Sequence, residues 1–139
     1  MKILCVFFVL LFTGCAPTLS EIRTSHPVTI IKSSKSPKSL ANCIYYETQL
    51  EGDKRWNPYW NKVDMTENNG IYHLTLSYSG GGLVPQNFST AEITIKPADK
   101  GKSIIEIRNP YQKSISESIS TYIEKCTSLT KPTKIQENQ

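Results

Sequence analysis

The chain has 139 residues, 38% of them apolar, and its 16 basic and 12 acidic residues give a formal net charge of +4. This length predicts a single domain, and a domain of this size buries only a modest share of its surface. The basic residues are spread thinly along the chain without a dense stripe, which argues against binding to nucleic acid.

The first fourteen residues are typical of a secretory signal peptide. Lys2 gives a charged start, Ile3–Phe12 is an unbroken apolar run of ten residues, and the small residues Thr13 and Gly14 follow. The run is too short to span a bilayer, which takes about 20 apolar residues. A charged start, a short apolar core and a small-residue exit together predict export and removal of residues 1–14.

The end of this segment, Phe12-Thr13-Gly14-Cys15, resembles the lipobox of bacterial lipoproteins. In that family a leucine is usual three residues before the cysteine, and here Phe12 stands in that place. The resemblance implies that Cys15 begins the mature chain and carries a thioether-linked diacylglycerol, usually with a third acyl chain on its amine. Such an anchor would hold the domain at a membrane without a spanning helix. The alternative is an ordinary signal peptide with a chance cysteine at its exit.

The residue after Cys15 bears on which membrane receives the anchor. In Gram-negative lipoproteins an aspartate at this position favours retention in the inner membrane. Because Ala16 stands here, the resemblance implies the periplasmic side of the outer membrane. Anchoring in an inner membrane or on a Gram-positive surface stays open. Cys5 lies in the signal peptide and would be discarded with it.

Residues 15–35 are rich in Ser, Thr and Lys and contain Pro17 and Pro27. This composition predicts a flexible tether between the lipid and the domain. One short apolar patch, Val28–Ile31, interrupts the tether. Docking of this patch as an extra strand is the alternative.

A first helix is predicted over Ser36–Glu51. Ser36 is a suitable N-cap, and Pro37 follows at the first helical position, where its missing N–H costs no hydrogen bond. Leu40, Cys43 and Ile44 then fall on one face at helical spacing. Gly52 is a natural stop for this helix.

Strand signals follow the first helix. A short strand is predicted over 62–65, and Asn69-Gly70 is a strong hairpin signal because both residues tolerate positive φ. Apolar and polar residues alternate in the next segment, which predicts a strand with one buried face and one wet face. The predicted strands after the hairpin span residues 70–79, 87–96 and 102–109.

A second helix is predicted from Asn109 to about Cys126. Asn109 resembles an N-cap, with Pro110 at the first helical position and Gln112 at the third. The apolar stripe of this helix consists of Ile115, Ile119, Tyr122, Ile123 and Cys126. Residues 127–139 have almost no apolar content and are predicted to be a disordered polar tail.

These elements predict a two-layer α+β domain over residues 36–126. Strands joined by short turns favour an antiparallel meander of three or four strands. The N-terminal and C-terminal helices would both cover its apolar face, and a disulfide would join them.

The candidate disulfide partners are Cys43 and Cys126, one on the apolar face of each predicted helix. Export would place them in an oxidising compartment, where paired cysteines usually form disulfides. Two free core thiols or half of a metal site are the alternatives. A zinc site would need further Cys or His ligands at short spacing, and the two histidines, His26 and His73, are not so placed. No metal or other cofactor is predicted.

An aromatic cluster, Trp56, Tyr59 and Trp60, is the candidate partner-binding patch. Trp and Tyr beside basic residues are typical of binding hot spots, for a protein or for a glycan. The alternative is that these rings fold over the edge of the small core.

The sequence contains no clear catalytic constellation. Glu47 and Glu51 lie one helical turn apart, and His73 could serve as a general base on the wet face of a strand, but no partner acid stands at an obvious spacing. We therefore expect a non-catalytic interaction module of the cell envelope, with a role in assembly, piloting, exclusion or inhibition. Its expected partners are the membrane, through Cys15, and an envelope protein or cell-wall glycan. The alternative is a small envelope enzyme that acts on peptidoglycan or another glycan.

Overall fold

The computed structural model describes residues 17–54, 57–80, 86–109 and 113–127. A short 3₁₀ turn, Asp99–Gly101, separates the last two strands. The helices and strands of the described residues are, in chain order, α1 (Leu19–Thr24), β1 (Thr29–Ser33), α2 (Pro37–Gly52), β2 (Lys62–Asn68), β3 (Ile71–Gly80), β4 (Gln86–Pro97), β5 (Ser103–Arg108) and α3 (Lys113–Thr127).

The five strands form one antiparallel sheet in the order β1-β5-β4-β3-β2. Strands β2 to β5 are the predicted meander, and the α+β class is confirmed. The predicted strand count of three or four is too low, because the apolar patch between α1 and α2 pairs with β5 as strand β1. Thr29 stands opposite Ile107 and Ser33 opposite Ser103.

The predicted hairpin at Asn69-Gly70 is present. Asn69 has φ 51° and Gly70 has φ 76°, which are the left-handed conformations that a two-residue hairpin turn requires. Strand β2 extends beyond the predicted limit of 65 to Asn68, since each of its residues finds a partner on β3 as far as the turn.

One face of the sheet, here called the helix face, is covered by α2 and α3. Its strand residues are mostly apolar, and their burial supplies the main hydrophobic stabilisation of the domain. The buried core consists of Ile31, Val63, Leu74, Leu76, Ala91, Ile93, Ile95, Ile105 and Ile107 from the strands, Leu40, Ala41, Ile44, Ile115, Ile119, Ile123 and Cys126 from the helices, and Trp60 from a loop.

Helix α2 begins as predicted. The Ser36 hydroxyl accepts a hydrogen bond from the Ser39 N–H at 3.4 Å, and Pro37 occupies the first turn. Helix α3 is described from Lys113, so the predicted cap residues Pro110 and Gln112 lie outside the described residues, while Asn109 is buried.

A disulfide joins the two helices of the core layer, as predicted. Cys43 on α2 and Cys126 on α3 are bonded, with their Cα atoms 5.8 Å apart. Close to this bond the Lys35 ammonium donates to the Cys126 carbonyl, so the end of α3 is also held by the segment that precedes α2.

The tether predicted over residues 15–35 is wrong from Leu19 onward. Thr18 and Glu21 form a capping box that starts α1, and Ile22 on this helix is fully buried. Helix α1 packs on the sheet face opposite α2 and α3, where Arg23 pairs with Glu92 of β4. This second face, here called the polar face, is formed by Ile30, Lys32, Lys62, Asp64, Thr66, His73, Thr75, Ser77, Glu92, Thr94, Lys96, Ile104, Glu106 and Arg108.

The predicted signal peptide, Cys15, Trp56 and residues 128–139 lie outside the described residues. No helix in the described ranges is long and apolar enough to cross a membrane.

Replacement of both disulfide cysteines, Cys43→Ala with Cys126→Ala, is expected to lower the free energy of unfolding by up to about 4.5 kcal/mol, because the bond closes a long loop in the unfolded chain. Urea unfolding of the two proteins measures the difference. A reducing agent should destabilise the wild type similarly and leave the double variant unchanged. Equal stability of oxidised and reduced wild type would contradict the prediction.

Candidate functional site

An open pocket lies at the end of the domain where α2 ends against α3. Its volume is about 460 Å³. Two carbon-rich rings, Tyr59 and Tyr122, stand beside one carboxylate and one ammonium group in its wall. The lining residues are Glu51, Lys54, Asn57, Pro58, Tyr59, Trp60, Ser118 and Tyr122. We call this the aromatic pocket.

Trp60 lies beneath the pocket and has 0% exposure, so the prediction that it contacts a partner is wrong. Its indole N–H donates to the Thr48 carbonyl at 3.0 Å, and its ring meets Tyr122 edge-on at 6.3 Å. Gly52 allows this approach, because a Cβ there would stand 3.1 Å from the indole Cδ1. For Trp60 the alternative, a ring folded over the core, is therefore correct.

Tyr59, the other described member of the predicted aromatic cluster, is half-buried and lines the pocket. Asn57 organises this loop, since its Oδ1 accepts from the backbone N–H of Tyr59 at 2.8 Å and of Trp60 at 3.2 Å. The Asn57 Nδ2 donates to the Glu51 carbonyl at 3.2 Å. An Asn side chain that satisfies its own turn in this way stabilises the local backbone, and the Tyr59 ring stacks beside that of Trp60 with 6.4 Å between the ring centroids.

The ionisable groups of the pocket are paired with one another. Burial raises the pKa of Glu51, but the hydrogen bonds and charges of Lys54 and the hydroxyl of Tyr122 outweigh it, so the pKa lies below its ordinary value. Burial, together with the hydrogen bond to Glu51 and the charge of Glu47, raises the pKa of Tyr122 to about 12. Near neutral pH the carboxylate is therefore charged and the phenol is a neutral donor.

The two glutamates that the sequence places one helical turn apart serve different contacts. Glu47 pairs with Lys125 of α3 at 3.3 Å, at the surface. Glu51 faces the aromatic pocket. Both carboxylates thus bridge α2 to α3 rather than face each other across a cleft.

A second polar arrangement lies on the polar face. His73 Nδ1 is 2.8 Å from Glu92 Oε1, and Arg23 Nε is 2.8 Å from Glu92 Oε2. The Glu92 side chain is 1% exposed, whereas His73 is 29% exposed. A buried carboxylate needs such partners to offset the loss of hydration, and here a histidine of β3 and an arginine of α1 supply them.

The polar face carries a neighbouring cluster around Glu106. Its carboxylate accepts from Lys96 at 2.9 Å and from Arg108 at 2.6 Å, and Arg108 also donates to Thr94 at 3.2 Å. Burial raises the pKa of Glu106, but Lys96 and Arg108 outweigh it and hold the pKa below the ordinary value of 4.5.

No protein-family model matches this chain, and comparison with curated proteins finds no match.

Two contacts of these sites were not predictable from the sequence: that of Tyr122 with Glu51 and that of His73 with Glu92. Helical spacing places Tyr122 in the core stripe of α3, whereas its contact with Glu51 depends on how α2 packs on α3. The partner of His73 is Glu92, which lies diagonally across from it because Thr94 is the directly opposed residue. The register of β3 on β4 decides that contact, and no spacing along the chain reveals it.

Within the described ranges, no group of three or more His, Cys, Asp or Glu side chains is placed to hold a metal ion.

Replacement of Trp60 by alanine is expected to lower the free energy of unfolding by about 3–5 kcal/mol, because it removes a large buried ring and leaves a cavity. The control is Tyr46→Ala on α2, whose ring is 63% exposed and whose loss should cost less than about 0.5 kcal/mol. Urea unfolding measures both. Similar losses in the two variants would contradict the burial of Trp60.

The Glu106 cluster predicts a pH dependence of stability. Because the pKa of Glu106 is lowered in the folded state, its contribution is fully present above the ordinary value of 4.5 and is lost as the pH falls through the lowered value. The variant Glu106→Gln should therefore lose less stability than the wild type between neutral pH and about pH 3. Urea unfolding at several pH values measures the slopes. Glu117→Gln, an exposed change on α3, should keep the wild-type slope, and a wild-type slope in Glu106→Gln would disprove the assignment.

Proposed function

We propose that this protein is a lipid-anchored, non-catalytic interaction module of the bacterial cell envelope, held at the periplasmic side of the outer membrane. The anchor is proposed from the lipobox resemblance at Phe12–Cys15. The aromatic pocket is proposed as the surface that meets the partner, which would be an envelope protein or a cell-wall glycan.

The disulfide supports the export half of this proposal. Structural disulfides form and persist in oxidising compartments and are rare in the cytosol. The bond between Cys43 and Cys126 joins the two helices of the core layer. The bond can stabilise the domain only where cysteines are kept oxidised. An exported protein reaches such a compartment.

The aromatic pocket is the observation that carries the binding half. Rings with a few fixed polar groups are typical of sites for small ligands and short segments. Tyr59 and Tyr122 supply rings, while Lys54 and Ser118 add polar groups to the wall.

The state of Glu51 favours binding over acid catalysis at this pocket. A general acid works best when its pKa lies near the working pH, whereas the pKa of Glu51 is lowered by its partners Lys54 and Tyr122. Glycoside hydrolysis also takes two carboxyl groups on opposite sides of the bond. Among the described residues that line the pocket, Glu51 alone carries a carboxylate.

A small envelope enzyme is the second candidate, and the contact between His73 and Glu92 favours it. A carboxylate that accepts from one nitrogen of a histidine orients the ring as in a general base. Against this, Arg23 occupies the other oxygen of Glu92 and the pair belongs to the packing of α1. Loss of peptidoglycan hydrolysis in His73→Gln but not in His26→Gln would favour the enzyme.

The anchor is tested by the intact mass of the protein extracted from membranes. We expect a mature chain that begins at Cys15 and carries the added mass of a diacylglyceryl group with or without an amide-linked acyl chain. Cys15→Ala should abolish the added mass, while Cys5→Ala, a matched change in the discarded segment, should leave the mature mass unchanged. A mature chain that begins at another residue would disprove the anchor.

The binding surface is tested by photocrosslinking in intact cell envelopes. A photoreactive phenylalanine analogue replaces Tyr59 at the pocket. In the control it replaces Tyr46, an exposed tyrosine of α2 that does not line the pocket. We expect a discrete crosslinked product from position 59 and none from position 46. Sensitivity of this product to a peptidoglycan hydrolase would identify a glycan partner, and peptides of a second protein in the mass spectrum of its digest would identify a protein partner. Equal labelling from both positions would contradict the pocket as the binding surface.

A further inference from the structure

Helix α1 ties the beginning of the described chain to the polar face of the sheet. Ile22 is fully buried, and Arg23 reaches Glu92 on β4. After the helix, the Ser25 carbonyl accepts from Arg108 Nε at 3.2 Å. The chain is therefore held to the sheet from α1 onward rather than from the first strand.

This attachment leaves little chain between the domain and the proposed lipid. Cys15 precedes Thr18 by three residues, and consecutive Cα atoms are about 3.8 Å apart, so the two Cα atoms are separated by about 11 Å at most. Acyl chains on Cys15 would insert into the bilayer and hold the Cys15 backbone at the membrane surface. The part of the polar face next to α1 must then lie close to the lipid headgroups.

A recess opens on the polar face at this place. Its volume is about 500 Å³. Leu19 and Arg23 of α1 form one side, and the hydroxyl groups of Thr75 and Ser77 line it from β3. Lys62 and Asp64 of the edge strand β2 form another side, where their side chains pair at 2.9 Å and are 61% and 54% exposed. A surface ion pair of this kind contributes little stability, so the Lys62 ammonium can turn to an anionic ligand. Cationic groups beside hydroxyl donors are suited to a phosphodiester, which offers charge and several acceptor oxygens.

The exposed charges around the recess favour an anionic surface. The buried carboxylates of the polar face, Glu92 and Glu106, are 1% and 13% exposed beneath their cationic partners. Their charges offset those of Arg23 and Lys96, but it is the guanidinium and ammonium groups that reach solvent. The cationic side chains that reach solvent on this face and on α1 are those of Arg23, Lys32, Lys62 and Lys96, against the acidic side chains of Glu21 and Asp64.

We propose that the polar face beside α1 rests on the membrane that holds the anchor, and that the recess takes the phosphodiester headgroup of an anionic phospholipid. This proposal rests on acylation of Cys15, proposed above. Basic side chains close to a membrane surface are attracted to anionic lipids, and the anchor supplies the proximity. The helix face lies on the other side of the sheet, so the aromatic pocket would be presented away from the membrane.

The test uses the acylated protein purified from membranes and reconstituted in vesicles of phosphatidylcholine with or without phosphatidylglycerol. A fluorophore is attached to Thr66→Cys at the recess or, as the control, to Tyr46→Cys on α2. We expect iodide to quench the label at position 66 several-fold less in vesicles with phosphatidylglycerol than in detergent. The label at position 46 should be quenched equally in both.

The proposed headgroup site is tested by reversing the charge of one basic side chain at the recess. Lys62→Glu should remove the protection that depends on phosphatidylglycerol, and Lys38→Glu, the same change at an exposed position of α2, should keep it. Protection at position 66 that is the same without phosphatidylglycerol and unaltered by Lys62→Glu would overturn the headgroup site.

Flotation of the vesicles distinguishes failure of the proposed anchor from failure of the proposed orientation. If the protein fails to float with vesicles and lacks the acyl mass, the proposed anchor has failed. If it floats but both labels are equally quenched, or position 46 is the protected one, the anchor stands and the orientation is overturned. Protection of position 66 in native membranes but not in vesicles would assign the recess to a protein partner and also overturn the proposal.

Discussion

The covalent bond between Cys43 and Cys126 is the constraint on which the rest of the domain depends. It joins α2 to α3 over the apolar face of a five-stranded sheet, so the element that begins the core layer and the element that ends it cannot separate. Apolar side chains on the sheet supply most of the burial. The bond reduces the entropy that the unfolded chain would regain, and a small domain has little other margin for stability.

Strand β4 shows how two different chemistries are built on one sheet. Its residues from Ala91 to Ile95 are all buried. Every second side chain enters the apolar core, while Glu92 and Thr94 point to the other face and are covered there by α1 and by Arg108. Burial of charge on the second face is tolerated because each carboxylate has two cationic or hydrogen-bonding partners.

The two faces divide the proposed tasks of the protein. The polar face receives the chain that leads from the proposed lipid and would meet the membrane. The helix layer ends in the aromatic pocket, where Glu51 and Tyr122 are paired with each other and Tyr59 is fixed by its Asn57 turn. The short connection between the proposed lipid and the sheet would set the orientation of the domain, which a long tether would leave free. The pocket would then point into the envelope space.

The sequence by itself determined what is local: the Ser36 cap, the Asn69-Gly70 turn and the alternation in β3. It also predicted the distant pair Cys43 and Cys126, because these are the two cysteines of the predicted domain. Only the tertiary structure decided the rest. Helix α1 has six residues, too few for a periodic signal, and it exists because Ile22 and Arg23 find partners on the sheet. The burial of Trp60 and the contact between His73 and Glu92 depend on packing and register, because these partners are distant along the chain and composition carries no record of which segments meet.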